Sequence, residues 1–158
     1  MSDVVATAMN AVGSVRARPT IDQVEVMILA AGGEIRAGGC ELAGFPERHI
    51  FTPGLYIREL RAPAGSVITS RIHMTEHPWV MSAGHASVYS DDEGPMDVCA
   101  PAFGITKPGT RRMAFVHEDM VWTTFHVTDL TDLDAIERVI YAPWNNPYLA
   151  EIEAGGVE

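Results

Sequence analysis

Positive charge is scarce in this sequence. Of its 158 residues, 11 are Lys or Arg and 21 are Asp or Glu, which gives a formal net charge of −10 at pH 7. Proteins that bind nucleic acids or anionic membranes need a positive surface to contact phosphates. The charge balance therefore argues against both kinds of partner. The single lysine is Lys107, and the bias towards arginine reflects either a use of ion pairs with fixed geometry or the base composition of the genome.

Cysteines and long apolar runs are also few. Cys40 and Cys99 lie far apart and form no Cys-x-x-Cys pair, so we expect a reducing, cytoplasmic location rather than a disulfide framework. We expect no signal peptide, because no basic stretch at the N-terminus is followed by an apolar run. No apolar stretch approaches the roughly 18 residues that span a bilayer.

Turn-forming residues are common instead. The chain contains 14 glycines and 10 prolines, and 47% of its residues are hydrophobic, which suits one domain with many short strands. Strands are predicted at 55–61, 67–74, 79–82, 85–90, 98–105, 111–116 and 121–128. Short strands at regular spacing, separated by glycine and proline, predict an all-β sandwich or barrel.

A short helix is predicted before the strands. Thr20 and Gln23 have the spacing of a capping box, and apolar residues follow at helical spacing up to about Ala31. The same apolar residues also alternate, so a strand is an open alternative. Residues 34–48 are rich in glycine and are expected to form loops with one short strand.

A second helix is predicted after the strands. Thr131 can cap it, its apolar residues form one stripe, and Pro143 ends it. The aromatic segment 144–148 is expected to pack back on the barrel. The predicted organisation is a flexible arm at 1–19, a helix and loops at 20–44, a barrel at 45–128, and a helix and tail at 129–158.

The densest group of metal-capable side chains lies between two turn glycines, Gly65 and Gly84. The spacing there resembles the first motif of the cupin family, Gly-x5-His-x-His-x3-Glu-x6-Gly. Gly65, His73 and Gly84 keep the family residue. Arg71 stands at the place of the first histidine, and His77 stands at the place of the glutamate.

A second stretch resembles the second cupin motif, Pro-x-Gly-x2-His-x3-Asn. Gly109 keeps the family residue, while Lys107, Arg112 and Val116 replace the proline, the histidine and the asparagine. A closer likeness is to small cupin-like proteins of bacteriophages and some bacteria. It is carried by the phrases at 51–58, 73–78, 107–112 and 122–126. The resemblance implies a single cupin-type β-barrel, or jelly roll, that forms oligomers, and it implies no particular reaction.

The resemblance also bears on metal binding. Cupins hold one divalent ion with three histidines and a glutamate, and two of these places are arginine here. An arginine only donates hydrogen bonds and repels a cation, so the four-ligand site is absent. His73 and His77 remain candidate ligands for zinc, nickel or iron, with His126 as a third. Further candidates are Glu76, His117 and Glu118. Alternatively, the two histidines are buried and hydrogen-bonded to Glu76 or a backbone carbonyl.

The two arginines suggest an anion site. If Arg71 and Arg112 point into the barrel, their guanidinium groups suit a carboxylate or a phosphate, with Glu76 as a further ligand-binding candidate. Alternatively, each arginine pairs with a nearby acid such as Glu59 or Glu118.

Two kinds of function stay open at this stage. One is a small-molecule-binding or enzymatic barrel that uses the histidines and arginines. The other is a non-catalytic assembly module, virion-associated or scaffold-like, that uses the segments 1–31 and 142–158 for contacts. The even positions of 67–74 are apolar and need a cover, either residues 20–31 or a second subunit. A homodimer is therefore expected.

Overall fold

The computed structural model describes residues 20–36, 38–42 and 45–148. Its elements in chain order are α1 (Ile21–Ala30), β1 (Glu34–Arg36), β2 (Gly39–Leu42), β3 (Glu47–Thr52), β4 (Leu55–Ala62), β5 (Val67–Thr69), β6 (His77–Ser90), β7 (Gly94–Cys99), β8 (Ala102–Thr106), β9 (Arg112–Val127) and α2 (Leu133–Ile140). The predicted arm at 1–19 and the acidic end at 151–158 lie outside the described residues. None of the helices described is long and apolar enough to cross a membrane.

Two long strands, β6 and β9, form the centre of a curled sheet. They pair antiparallel from Trp79 and Thr124 at one end to Ser90 and Arg112 at the other. The second edge of β6 pairs with β8 and β7, and the second edge of β9 pairs with β4 and β5. Beyond them, β3 extends β4, and β2 and β1 extend β5. The predicted class, an all-β barrel of the jelly-roll kind with a short helix near each end, is confirmed.

A bulge explains why two long strands were predicted as four short ones. The register between β6 and β9 shifts between Met81 and Ala86. Within this bulge Gly84 has a φ of +94°, and a Cβ atom there would lie 2.5 Å from the carbonyl oxygen of Asp119. The glycine that the sequence suggested as a strand end therefore lies inside β6, because it allows pairing to continue through the bulge.

Other strand limits also differ from the prediction. The stretch 34–48 holds the β1–β2 hairpin and the start of β3 rather than loops with one strand. β5 ends at Thr69, five residues before the predicted end, and the predicted strand 98–105 is divided into the end of β7 and most of β8.

Helix α1 covers the outer face of the sheet. Its capping box is present as predicted, with Thr20 and Gln23 bonded reciprocally. The buried contacts of the helix and the strands below it are made by Ile21, Val24, Ile28, Cys40, Val67, Met113 and Phe115. Residues 20–31 therefore serve as a cover, but over the odd position Val67. The even position Ile68, on the face that was expected to need the cover, lines the interior cavity instead.

Helix α2 closes one end of the barrel. Its cap is Asp132, whose side chain accepts a hydrogen bond from the amide of Ala135, rather than the predicted Thr131. Ile136 and Ile140 pack on two tyrosines of the interior, Tyr56 and Tyr141. The following segment packs back as expected, but against the core below α1, where Trp144 lies.

Candidate functional site

A cavity of about 100 Å³ lies inside the curled sheet. Its apolar wall includes Phe45, Leu60, Ile68, Met120 and Trp122. Its polar wall includes Arg58, His73, His77, Thr106, Arg112 and Thr124. On β9 the inward positions are the even ones, so strand alternation places Arg112, Thr124 and His126 on the same face of one strand.

Three histidines predicted as metal ligands form one cluster at the end of this cavity. The ring centroids of His73 and His77 are 4.9 Å apart, and those of His77 and His126 are 4.3 Å apart. All three side chains are buried, with 8%, 2% and 3% of their residue surfaces exposed. The structure therefore brings together, from a loop and two strands, the three residues that the sequence predicted as a group.

Each histidine is positioned by a different part of the fold. His77 begins β6 and His126 lies near the end of β9. His73 lies in the irregular segment after β5, where its amide donates to the carbonyl of Thr110 at 2.9 Å and its carbonyl accepts from Gly109 at 2.7 Å. The turn of the second motif thus holds the histidine of the first.

The cluster is neutral near pH 7. Burial lowers the pKa of His73 to about 3, and the neighbouring His77 and the guanidinium groups of Arg112 and Arg58 act in the same direction. Burial, His77 and Arg58 lower the pKa of His126 to about 3. Burial and the same two arginines lower the pKa of His77. Neutral imidazoles are the form that binds metal ions.

Backbone carbonyls decide which ring nitrogen of each histidine carries the proton. Nδ1 of His73 lies 3.2 Å from the carbonyl oxygen of Thr110, and Nδ1 of His77 lies 3.1 Å from that of Thr75. A carbonyl oxygen only accepts, so in the neutral rings Nδ1 carries the proton and Nε2 carries the lone pair. Both histidines therefore present the nitrogen that a metal ion needs.

His126 differs in which nitrogen has a partner. Its Nε2 lies 2.9 Å from the hydroxyl of Thr124. Its Nδ1 is buried and has no hydrogen-bond partner among the described residues. A buried ring nitrogen without a partner loses free energy relative to water, unless a ligand contacts it.

Metal-ligating geometry is not complete in the present rotamers. A metal site needs ligand atoms close to one another. In the described part of the chain, one group of His, Cys, Asp or Glu side chains has its ligand atoms all within 4.8 Å of each other. This group is His85, Asp97 and Cys99, and it lies on the outside of the sheet. The nitrogens of the interior cluster are therefore more widely spaced. Rotation of the rings is needed before one ion contacts all three.

Two tyrosines extend the interior cluster at both ends. The ring of Tyr141 lies 5.3 Å from that of His73, and the ring of Tyr56 lies 5.6 Å from that of His126. The hydroxyl of Tyr56 is 2.8 Å from Nδ1 of His49. Burial raises the pKa of both tyrosines, so their hydroxyl groups stay protonated. The hydroxyl of Tyr141 accepts a hydrogen bond from Nη1 of Arg58.

Arg112 lies on the cavity wall, as expected. Its Nη1 donates to the hydroxyl of Thr106 at 2.7 Å, and its Nη2 is 3.4 Å from the half-exposed carboxylate of Glu93. Its Nε is buried and has no hydrogen-bond partner among the described residues. The predicted alternatives, Glu59 and Glu118, are therefore not its contacts here.

Arg71 does not line the cavity, which corrects the orientation expected from the sequence. Its guanidinium group donates to the carbonyl oxygen of Ala142 through Nε at 3.1 Å and Nη2 at 2.6 Å. It also lies over the rings of Tyr141 and Trp144. The prediction assumed that one strand alternates as far as Met74. Because β5 ends at Thr69 and its inward residue is Ile68, the register that placed Arg71 inward was wrong.

Arg58 occupies the inner wall instead and was missed by the sequence analysis. It forms an ion pair with Glu47 and contacts the Tyr141 hydroxyl at 3.3 Å. The signal was the alternation of β4, where Tyr56, Arg58 and Leu60 share one face. Polar residues also lie on the other face of β4, so the sequence alone did not show which face pointed inwards.

The remaining candidates lie elsewhere. Glu76 is exposed and borders a second, smaller cavity that His126 also lines. His117 lies on the outer face of the sheet, where its ring is 4.5 Å from that of His85. Glu118 is exposed. Since neither His117 nor Glu118 lies at the interior cluster, they are not third ligands there.

Comparisons with known proteins give likenesses of fold. No protein-family model matches the chain, and no curated protein sequence matches it. The structure is similar to that of an acetylacetone dioxygenase from Acinetobacter johnsonii, with 16% identity, 61% of this chain and 68% of that chain covered, and a TM-score of 0.47.

Two further similar structures carry descriptions that state no activity. A cupin-like protein from Thermotoga maritima has 7% identity, 55% of this chain and 71% of that chain covered, and a TM-score of 0.49. An uncharacterised double-stranded β-helix protein from Klebsiella pneumoniae has 17% identity, 57% and 82% coverage, and a TM-score of 0.48. Since all three TM-scores are below 0.5, nothing about the chemistry of this chain follows from them.

Proposed function

We propose that this protein binds one divalent metal ion at His73, His77 and His126 and a small anion beside it. The observation that carries the proposal is the state of the three rings. Each is buried and neutral, and each has one nitrogen next to a protein oxygen, which leaves Nε2 of His73, Nε2 of His77 and Nδ1 of His126 for a ligand. Contacts of this kind, to the second ring nitrogen, orient metal-binding histidines in proteins.

The donor set suggests which ions fit. Three neutral imidazoles suit zinc, nickel or ferrous iron, and a site of three protein ligands leaves at least one position for water or a substrate. A bound ion of this kind supplies Lewis-acid chemistry or activates water. The protein itself orients the rings through the carbonyls of Thr75 and Thr110, and the surrounding apolar wall limits the access of water.

Arg112 supports the anionic half of the proposal. Its buried Nε lacks a partner among the described residues, and a carboxylate oxygen placed there would satisfy it. The cavity volume of about 100 Å³ suits a molecule of a few heavy atoms. We expect acetate to raise the melting temperature of the native protein, and we expect Arg112→Gln to abolish that increase while the exposed control Arg48→Gln keeps it.

Metal analysis of the purified protein tests the cluster directly. We expect His73→Ala/His126→Ala to lose one equivalent of bound zinc, nickel or iron relative to the native chain, measured by elemental analysis after gel filtration. The matched control is His49→Ala, which removes the same side chain from a position outside the three-ring cluster.

The result is interpretable only if the variants fold. Circular dichroism and the cooperativity of thermal unfolding establish this for each protein. A folded double variant that retains as much metal as the native chain contradicts the proposal, and so does a native chain that binds no ion after dialysis against each of the three metals.

A second candidate, a non-catalytic assembly module, is favoured by one feature. β8 pairs only with β6 in the described part of the chain, and it exposes 85% of Phe103 and 50% of Ile105. Exposed apolar side chains on an edge strand favour pairing with a second copy of the chain, as in a homodimer or a virion component. A metal-free protein whose oligomer dissociates in Phe103→Ser would favour this function over the first.

A further inference from the structure

A second group of metal-capable side chains lies on the outer face of the sheet, away from the cavity. His85 is on β6, and Asp97 and Cys99 are on β7. His85 pairs directly with Cys99, and Ser87 pairs with Asp97 in the same antiparallel ladder. Because alternate residues of a strand share a face, the ladder brings all four side chains to one side of the hairpin.

The distances within this group are short. One possible ligand atom each of His85, Asp97 and Cys99 lies within 4.8 Å of the other two. Nε2 of His85 is 2.7 Å from Oδ1 of Asp97. Around a tetrahedral zinc ion, ligand atoms at 2.0–2.3 Å from the metal lie roughly 3.3–3.8 Å apart. Only a small closing movement of the side chains is therefore needed.

We propose that His85, Asp97 and Cys99 form a zinc site on the outer face of the β6–β7 hairpin. The donors are one imidazole nitrogen, one carboxylate oxygen and one thiolate sulfur, the three types that bind zinc in proteins. Two negative ligands balance the charge of the ion, so the occupied site itself carries no net charge. Three protein ligands leave one position open for water or an external ligand.

The neighbouring residues and strands keep the three side chains in place. His117 of β9 lies beside His85, with its ring 4.5 Å from that of His85 and its Nε2 2.6 Å from the hydroxyl of Ser87. The ligands are carried by paired strands rather than by a loop, and inward neighbours such as Val88 and Val98 are buried. The positions of the ligand backbones are therefore fixed by the core.

An ordinary hydrogen bond or ion pair at the surface explains less of the arrangement of these three side chains than a metal site does. A histidine–aspartate pair at this degree of exposure contributes little to stability, and it does not account for a thiol placed within the same few ångströms. The group is independent of the interior cluster, since Ala86 and Val88 of β6 face the barrel while His85 and Ser87 face outwards.

The chain contains its own control for a thiol-based experiment. Cys99 is exposed, whereas Cys40 is buried, and burial together with the charge of Glu25 raises the pKa of the Cys40 thiol to about 12. In the native protein a thiol reagent therefore reports on Cys99. We expect one thiol to react in the metal-free protein, and we expect zinc to slow that reaction at least tenfold.

Cobalt supplies a second readout, because a cobalt–thiolate bond absorbs in the near ultraviolet. We expect the full-length native protein to show this absorption on titration with Co²⁺ and to lose it when Zn²⁺ is added. Cys99→Ser should abolish the band. His85→Ala removes a ligand, so it should weaken Co²⁺ binding by at least the roughly 10–100-fold that the loss of a residue supporting a ligand causes. The control His73→Ala/His126→Ala should keep the band, because the interior cluster contains no thiolate.

Two results would overturn the proposal. One is a native protein, with Cys99 shown to be reduced, that gives no cobalt–thiolate band and no zinc protection of Cys99. The other is a band that persists in folded Cys99→Ser. Asp97 and Cys99 are exposed and His85 is partly exposed on the outer face of the sheet, so the variants should fold, and the protection experiment on the native chain needs no substitution at all.

Discussion

Glu25 shows how a single buried charge connects three parts of the chain. Its carboxylate is fully buried in α1 and lies 2.7 Å from Arg111 of the segment before β9. It also accepts hydrogen bonds from Thr69 at 3.1 Å and from Asn146 at 2.7 Å. The helix, the sheet and the C-terminal segment therefore share one polar contact beneath the apolar cover.

We expect Glu25→Ala to be strongly destabilising. Removing the Glu25 carboxylate breaks a buried ion pair, leaves Arg111 with Asp22 as its remaining acidic partner and takes the acceptor from the Thr69 hydroxyl. Breaking a buried pair in this way costs up to about 3–5 kcal/mol of unfolding free energy. Urea denaturation measures this loss. The matched control is Glu59→Ala, whose arginine partners are more than half exposed, and it should cost about 1 kcal/mol or less. Equal losses in the two variants would contradict the structural role assigned to Glu25.

At the scale of a single element, the bulge in β6 determines which of its side chains face the interior of the barrel. The inward positions are odd before the bulge, at His77, Trp79 and Met81, and even after it, at Ala86 and Val88. A continuous ladder without the bulge would turn one half of this pattern outwards. The bulge is thus what allows one strand to supply both the histidine cluster and the apolar core.

We expect Gly84→Ala to cost more stability than the same change at another left-handed glycine. At Gly54, with a φ of +77°, the nearest atom to an added Cβ is 4.0 Å away, so the backbone cost of about 1–2 kcal/mol is the main effect. At Gly84 the Cβ would also lie 2.5 Å from a backbone oxygen, which adds about 1–3 kcal/mol. Chemical denaturation of both variants gives the comparison, and a smaller loss at Gly84 would exclude this explanation of the bulge.

At the scale of the whole molecule, burying several neutral histidines makes stability depend on pH. The pKa values of His73 and His126 are lowered to about 3 in the folded chain, below the value of about 6.5 in an unfolded chain. Between these values the unfolded chain binds more protons, so stability rises with pH. The contribution of these two histidines to the unfolding free energy is fully present above about pH 6.5, and it decreases as the pH falls towards 3.

We expect the chelator-treated protein to lose stability between pH 7 and pH 5.5, before most carboxylates titrate. Each buried histidine contributes a slope of up to about 1.4 kcal/mol per pH unit. In His126→Gln the slope should be smaller by roughly that amount, as measured by urea unfolding at several pH values. A variant with the slope of the native chain would show that His126 takes up its proton in the folded state.

Much of the fold could be predicted from local pattern. The capping box at Thr20 and the alternation of the strands depend on residues close in sequence. Predictions from local sequence patterns were wrong where the pairing of strands decides where a strand ends or which face a side chain occupies. Gly84 was interpreted as a strand end because its role in the bulge comes from the backbone of β9, and Arg71 was oriented wrongly because β5 ends where its pairing with β9 ends.

The sequence by itself determined the all-β class and the C-terminal helix, since these follow from periodicity and turn residues. It favoured a helix over a strand at 20–31 through the capping box, and it offered His126 as a third partner of His73 and His77 through the resemblance to a barrel. Only the tertiary structure decided that Arg58 rather than Arg71 lies on the inner wall and that His85, Asp97 and Cys99 meet outside the barrel. The physical reason is that a side chain's face depends on strand register, and register is fixed by partners that are distant in the chain.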